Sequence, residues 1–370
     1  MAEAPPLQQI DRTYVRHLQK KLSYFSGCDY FRLSSHPLVL RALARGLEQY
    51  GLNVAASRQT TGNHTVYLKL ENAMADFFEA ENVLLTSSGY LTNLVVAQAL
   101  VGNFSHALVD QKAHPSLLDA ARFLDCPVMR FHHCDPDDLM RCVQRCGPEA
   151  KLILLTDGMF SHSGAVAPLA AYLKRLPKDA LLLVDDAHGA GLLGATGKGS
   201  LEHEGVGRRR IIQTITLSKA FGVYGGAVLG SPALRKRMVT GSTLFIASTP
   251  LPLPLAQAAL TSVAVLRSKP SFRNRLARNA QHVRATLRKT GLALPDAPGP
   301  ILPLELESAA AISSLRKALL AHRIYPPFIR YPSGPERGYF RFVISSEHTP
   351  GQLNGLIEAL ASFNPKSKRF

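Results

Sequence analysis

From residue 83 to residue 230 the chain repeats one rhythm: a short apolar run, a polar turn, then apolar residues at helical spacing. Val83-Leu84-Leu85 leads through Ser87-Ser88-Gly89-Tyr90 to a helix ending near Leu100, and the run 106–109 leads through His114-Pro115 to a helix ending near Leu124. The run 128–131 precedes a helix over 136–146, and 151–155 precedes Asp157-Gly158-Met159-Phe160-Ser161. Ala180-Leu181-Leu182-Leu183-Val184, the run opening at Ile211, and Gly226-Ala227-Val228-Leu229-Gly230 complete seven such runs. Short continuous apolar runs read as strands covered on both faces, so the alternation predicts an α/β fold with a large, mostly parallel, seven-stranded sheet and helices on both sides.

The flanks differ. Upstream, 13–25 alternates around a polar 17–21 turn and predicts a hairpin, and helices are expected over 37–50, closed by Gly51, and over 66–78. Downstream of the proline-rich turn 248–254, a long helix over 255–290 interrupted near Pro270 is followed by strands over 301–306, 323–325 and 339–344 and helices over 309–322 and 350–363. This organisation divides the chain into an N-terminal segment with a hairpin (1–45), a large α/β domain (46–260) and a smaller C-terminal α+β domain (261–370).

In open α/β sheets, polar residues just past the strand ends gather in one crevice. Ser88, His114, Asp157, Ser161, Asp185, His188, Thr216 and Lys219 all fall at or beyond predicted strand ends. Asp185 follows a strand too apolar to leave a carboxylate unpaired and therefore calls for a cationic partner, which a protonated pyridine nitrogen would supply. Lys219 sits among small and hydroxyl residues (Thr216, Ser218, Gly222, Gly225, Gly226), and lysine shifts its pKa readily when desolvated, as an imine-forming amine must. An acid, an imidazole and an amine at strand ends suit pyridoxal 5'-phosphate. Ser88-Gly89-Tyr90 reads equally as a phosphate site at a helix start and as an ordinary capped helix; His114 reads as a core or capping residue or as a ring that stacks on a cofactor. The glycine-rich run 191–200 is a near miss for a phosphate-binding P-loop, because Gly199 follows Lys198 where Ser or Thr is required, and is read as a surface loop.

Composition narrows the field further. The 370 residues are 46% hydrophobic and 19% charged, as in an ordinary globular protein, with no apolar run of membrane-spanning length and no signal segment at the start, so a cytoplasmic protein without a membrane span is expected. The net charge of +16 attracts anions. Its basic residues are scattered, Arg208-Arg209-Arg210 being the densest group, and no nucleic-acid motif accompanies them, so a phosphorylated cofactor, an acyl-CoA or an acidic carrier protein are the expected anions rather than nucleic acid. Four of the five cysteines, Cys126, Cys134, Cys142 and Cys146, lie close in sequence but match no paired metal-ligand spacing and are expected as reduced thiols without a metal.

Asp29-Tyr30 with Ser35-His36-Pro37, Ser57-Arg58 with Gly62, Ser87-Ser88-Gly89-Tyr90 with Asn93, Ala113-His114-Pro115-Ser116, Thr156–Ser161, Val184-Asp185-Asp186-Ala187-His188-Gly189 and Thr216-Leu217-Ser218-Lys219-Ala220 together resemble the α-oxoamine synthase family of fold-type I pyridoxal-phosphate enzymes, with an aspartate aminotransferase-like fold. The resemblance runs from about Thr13 to the end, and the texture of 184–191 and 197–203 is most like the 8-amino-7-oxononanoate synthase branch, which belongs to biotin biosynthesis. It implies that Lys219 carries the cofactor covalently and moves protons at the substrate α-carbon, that Asp185 keeps the pyridine nitrogen protonated, that His188 and Ser161 address the phenolic oxygen, and that His114 stacks on the ring. It implies phosphate contacts from Ser88, Gly89, Tyr90, Thr216 and Ser218 and, across a homodimer, from Ser248 and Thr249. Arg341 matches the receiver of the amino acid carboxylate, with Cys28 among the substrate contacts. The implied reaction is a decarboxylative condensation of an amino acid, alanine favoured, with an acyl-CoA or acyl-carrier-protein thioester. Glycine and long-chain serine variants of that reaction, and an aminotransferase or lyase on the same fold, are the alternatives. Cys28 stands where the family carries Asn, and Phe31-Arg32 where it carries Leu-Gly.

Overall fold

The computed structural model describes residues 5–330 and 334–363, and by contact the chain divides into two units, one comprising 33–160 and 166–270 and the other 1–32, 161–165 and 271–370.

The first of these is built on a seven-stranded sheet in the order Asn82–Thr86, Gly226–Gly230, Ile211–Thr216, Leu181–Asp185, Leu152–Asp157, His106–Asp110, Val128–Phe131. Only Gly226–Gly230 runs antiparallel to its neighbours. The strands Leu152–Asp157 and Ile211–Thr216 are buried at every position, as expected for a sheet covered on both faces, even where the latter carries Gln213 and Thr214. The helices Gly89–Ala99 and Pro115–Phe123 pack one face: Val95, Val96, Leu117 and Ala120 join Leu84, Val109, Ile153, Leu155 and Leu183 in a continuous core. The expected helices stand at Pro37–Tyr50 and Thr65–Phe78, the latter closed by Glu79 in the left-handed region. Both carry a histidine N-cap, His36 and His64, whose ring nitrogen accepts from the second helical N–H.

The other unit contains the hairpin Tyr14–His17 with Lys20–Ser23, extended by a strand Gln8–Asp11 that the alternation did not reveal. It also holds a second sheet, Ile301–Leu304, Tyr339–Val343 and Phe328–Ile329, backed by Ala309–Ala321 and Pro350–Phe363. Phe340, Phe342, Leu315, Leu319, Leu356 and Leu360 fill its core.

One local expectation is corrected, one is met, and one helix is added. The strand expected over 323–325 is reduced to a bridge between Ile324 and Ser23, and the third strand lies at Phe328–Ile329; Pro326 and Pro327 have no N–H with which to carry a ladder through. The interruption expected near Pro270 is present: Leu253–Ser268 and Ser271–Lys289 part at Lys269-Pro270. The helix Pro232–Gly241 was not expected, because Leu234 and Met238 are its only buried residues, a stripe too thin to read as periodicity. Among the described residues no helix is long and apolar enough to cross a membrane.

Candidate active site

At the C-terminal edge of the parallel strands, inside the larger unit, a cavity of about 230 Å³ is lined by Ser88, Gly89, Tyr90, His114, Ser116, Asp157, Asp185, Ala187, His188, Thr216, Ser218 and Lys219. Register produces this convergence. Asp157 pairs with Asp185, and Asp185 with Thr214, so two carboxylates emerge side by side at the ends of adjacent strands while Thr216 ends the next one.

Asp185 is nearly fully buried and is held from three directions. Asn93 Nδ2 donates to its Oδ2 at 2.7 Å, Ser116 Oγ lies 3.4 Å from the same oxygen, and the Ala187 N–H donates to Oδ1 at 3.1 Å. Asn93 is itself fixed, its Oδ1 accepting from Thr214 Oγ1 at 2.6 Å. Hydrogen bonds to a charged group each contribute roughly 1.5–3 kcal/mol, so the carboxylate is oriented before any ligand arrives. Asp157, beside it, accepts from the His114 N–H at 2.8 Å. Its burial, reinforced by the charge of Asp185, holds its pKa well above the usual carboxylate range.

His114 is both capping residue and cavity wall. It is the N-cap of Pro115–Phe123, its Nδ1 accepting from the Ser116 N–H at 3.2 Å, which fixes the ring and places the remaining proton on Nε2. Burial lowers its pKa, opposed by the charge of Asp185, so a neutral imidazole faces the cavity at neutral pH. Tyr90 meets this ring edge-on at 6.1 Å between centroids.

The helix Gly89–Ala99 starts at the cavity, with Ser88 as N-cap accepting from the Leu91 N–H at 3.4 Å. A β-carbon on Gly89 would lie 2.6 Å from the Thr216 β-carbon, so only glycine lets this helix start approach the strand end. Thr216 Oγ1 accepts from the Ser218 N–H at 3.2 Å and folds the chain tightly toward Lys219. Two further bonds, Leu217 N–H to Gly225 O at 2.9 Å and Gly222 N–H to Lys219 O at 3.0 Å, hold the loop that presents the lysine.

Of the sequence-predicted residues, Ser88, Gly89, Tyr90, His114, Asp185, His188, Thr216, Ser218 and Lys219 are thus brought to one cavity. Ser248 and Thr249 are not among its lining and border a separate small pocket with Thr86 and Ser87. Ser161, Cys28 and Arg341 belong to the other unit, where they meet one another: Arg341 Nη1 donates to Ser161 O at 3.4 Å and its Nη2 lies 3.8 Å from Cys28 Sγ. The sequence reading gave no role to Asn93, Ser116 or Thr214. The available signal is spacing, since Asn93 lies one helical turn beyond Gly89, on the face turned to the sheet, where a buried amide must find polar partners.

Asp186, next to Asp185, has a different task. It is fully buried, and its Oδ2 accepts from the Ser200 N–H at 2.8 Å and from Gln213 Nε2 at 2.6 Å, which pins the glycine-rich run back onto the sheet. A β-carbon on Gly199 would lie 1.9 Å from that oxygen, and one on Gly189 2.1 Å from Oδ1. Burial pushes its pKa up to about 7, against the opposing hydrogen bonds. A carboxyl raised in the folded state keeps its proton while the unfolded chain loses it, so the associated stability is fully present below the unfolded pKa and is lost as pH rises toward 7. Asp186→Asn, a permanent mimic of the protonated acid, is therefore expected to become more stable relative to wild type as pH rises from 4 to 7, by about 2–4 kcal/mol at the top of that range. Urea midpoints measured across it would refute this if the difference between the two proteins stayed constant.

The donor set fits pyridoxal 5'-phosphate: a pre-oriented buried carboxylate for a protonated ring nitrogen, an amine for an aldehyde, a neutral imidazole, and a helix start with hydroxyls for a phosphate. Comparison with known proteins agrees. Residues 27–360 match the family described as aminotransferase class I and II. The chain is 36% identical over 339 residues to 8-amino-7-oxononanoate synthase of Thioalkalivibrio sulfidiphilus, covering 91% of this chain and 86% of that protein. It is 36% identical over 350 residues to the enzyme of the same name from Methylococcus capsulatus, covering 92% and 89%. Among solved structures, serine palmitoyltransferase from S. paucimobilis with a bound PLP–myriocin aldimine superposes with a TM-score of 0.90 at 26% identity, covering 96% of this chain and 90% of that one. 8-Amino-7-oxononanoate synthase from Francisella tularensis gives 0.80 at 25%, covering 92% and 97%.

Proposed function

We propose, for a chain that belongs to the class I and II aminotransferases and within them to the α-oxoamine synthases, that it condenses alanine with a pimeloyl thioester, with loss of carbon dioxide, to make 8-amino-7-oxononanoate. The observation that carries this reading is identity of 36% to synthases of that name over nearly the whole length of both chains.

When bound, pyridoxal 5'-phosphate supplies an electron sink that makes the α-proton of the amino acid labile. The chain supplies the rest. Asp185 holds the proton on the ring nitrogen; Lys219 anchors the cofactor and carries protons to and from the α-carbon. His114, neutral, would stack on the ring and His188 would serve the phenolic oxygen, a role the family resemblance also gives Ser161. Ser88, Gly89, Tyr90, Thr216 and Ser218 hold the phosphate, with Ser248 and Thr249 completing that site across a homodimer working in the cytoplasm. Arg341 receives the substrate carboxylate, with Cys28 beside it.

Thiol release from pimeloyl-CoA, dependent on alanine, tests the reading against glycine with acetyl-CoA and serine with palmitoyl-CoA. Release with either alternative pair and none with the first would assign a different α-oxoamine synthase; amino-group transfer to a keto acid without thiol release would remove the acyltransferase altogether. Arg341→Lys replaces a bidentate fork by a point charge and is expected to raise KM for the amino acid roughly tenfold or more, with a smaller change in kcat. Unchanged KM in steady-state kinetics would remove Arg341 from carboxylate recognition.

A further inference from the structure

A second cavity, of about 430 Å³, opens at the opposite edge of the same sheet. Leu181 and Ile211 begin their strands there and Gly230 ends the antiparallel one, whereas Asp185 and Thr216 end theirs at the catalytic crevice. The two cavities are therefore separated by a strand length of roughly 15–20 Å.

Its lining is split by chemistry. Arg208, Arg209, Arg210 and Arg237 supply four cations against one acid, Glu81, while Leu100, Leu181, Ile212 and Leu234 supply an apolar wall. Two of the guanidinium groups are tethered by only part of their donors. Arg208 donates through Nε and Nη2 to Phe78 O at 3.2 and 2.9 Å, and Arg210 through Nε to Ala180 O at 3.2 Å. Arg208 Nη1 and Arg210 Nη2 are closed to solvent, so these two residues lend the cavity positive charge rather than free donors, and Arg209 and Arg237, both exposed, are the cations open to an anion. The helix Pro232–Gly241 begins at the same place, with Ser231 as its N-cap, and adds the positive end of its dipole. Clustered cations, two of them exposed, and an apolar wall in a cavity of ligand size together call for an anion with a hydrocarbon body.

We propose that this cavity is a binding site for a medium-chain fatty carboxylate, its headgroup among Arg208, Arg209, Arg210 and Arg237 and its chain along Leu100, Leu181 and Leu234. Such a ligand occupies the far edge of the sheet from the crevice and does not compete with either substrate there.

Calorimetric titration of decanoate into the cofactor-loaded protein, with coenzyme A saturating the acyl site, tests this. One decanoate per chain is expected, with affinity falling at least roughly tenfold in Arg209→Ala and further in Arg209→Ala/Arg237→Ala, and with decanol, which lacks the carboxylate, binding at least roughly tenfold more weakly. Both variants are to be checked for wild-type circular-dichroism melting, and Arg209 is exposed enough that its removal leaves the fold intact. Absence of decanoate binding up to about 1 mM overturns the proposal. So does binding unaltered by the arginine substitutions, or decanol binding as tightly as decanoate. Inorganic phosphate binding as tightly as decanoate overturns it as well, since the apolar wall would then contribute nothing.

Discussion

Lys219→Ala is expected to lower turnover by on the order of 10⁴-fold and to remove the visible absorbance of a lysine-linked cofactor. The size follows from the two roles proposed for this one position, covalent anchor and carrier of the α-proton. The loop that presents Lys219 is held by backbone bonds from Leu217 to Gly225 and from Gly222 to Lys219, neither of which uses the lysine side chain, so the fold should survive the substitution. Borohydride treatment of the wild-type protein should fix the cofactor to the peptide bearing Lys219. Peptide mapping that finds the label on another lysine, or a variant that keeps both colour and turnover, would remove Lys219 from the chemistry.

The second large effect is expected at Asp185. Asp185→Asn removes the charge proposed to hold the ring-nitrogen proton and should cost on the order of 10²–10³ in turnover, the range for loss of one pre-oriented electrostatic partner. The local geometry makes a more specific forecast. Asn93 Nδ2 and the Ala187 N–H both donate to Asp185, so an amide in its place must turn one donor against another. The charge of Asp185 is also one cause of the raised pKa of Asp157. Without it Asp157 ionises more readily and restores part of the negative charge, so Asp185→Asn should retain more activity than Asp185→Asn/Asp157→Asn. Equal turnover in the two variants would show that Asp157 lends no charge to the site. Wild-type turnover in Asp185→Asn would exclude the role given to Asp185.

The fold and the centre of the site were legible for a common reason. Strands buried on both faces are largely apolar, so polar residues at their ends stand out in sequence, and the cavity collects three of them: Asp157, Asp185 and Thr216. The helix Pro232–Gly241 escaped because most of its surface is polar, and the 323–325 strand was overcalled because apolar character outweighed the prolines that follow it. Asn93 and Thr214 escaped as functional residues because their importance lies in a chain of bonds to Asp185 that crosses 92 and 121 residues of sequence. A propensity or a spacing does not report such a partner.

The sequence by itself determined the sheet, the crevice edge and the acid, imidazole and amine that belong to it, since hydrophobic period and strand-end polarity are local properties of the chain. Only the tertiary structure decided how those groups behave. Pairing register set Asp157 against Asp185 and raised the pKa of Asp157, helix capping fixed the tautomer of His114, and burial between Gly199 and Gly189 separated Asp186 from Asp185. Each of these depends on distance and desolvation between residues far apart in the chain, and those quantities come into existence only when the sheet is assembled.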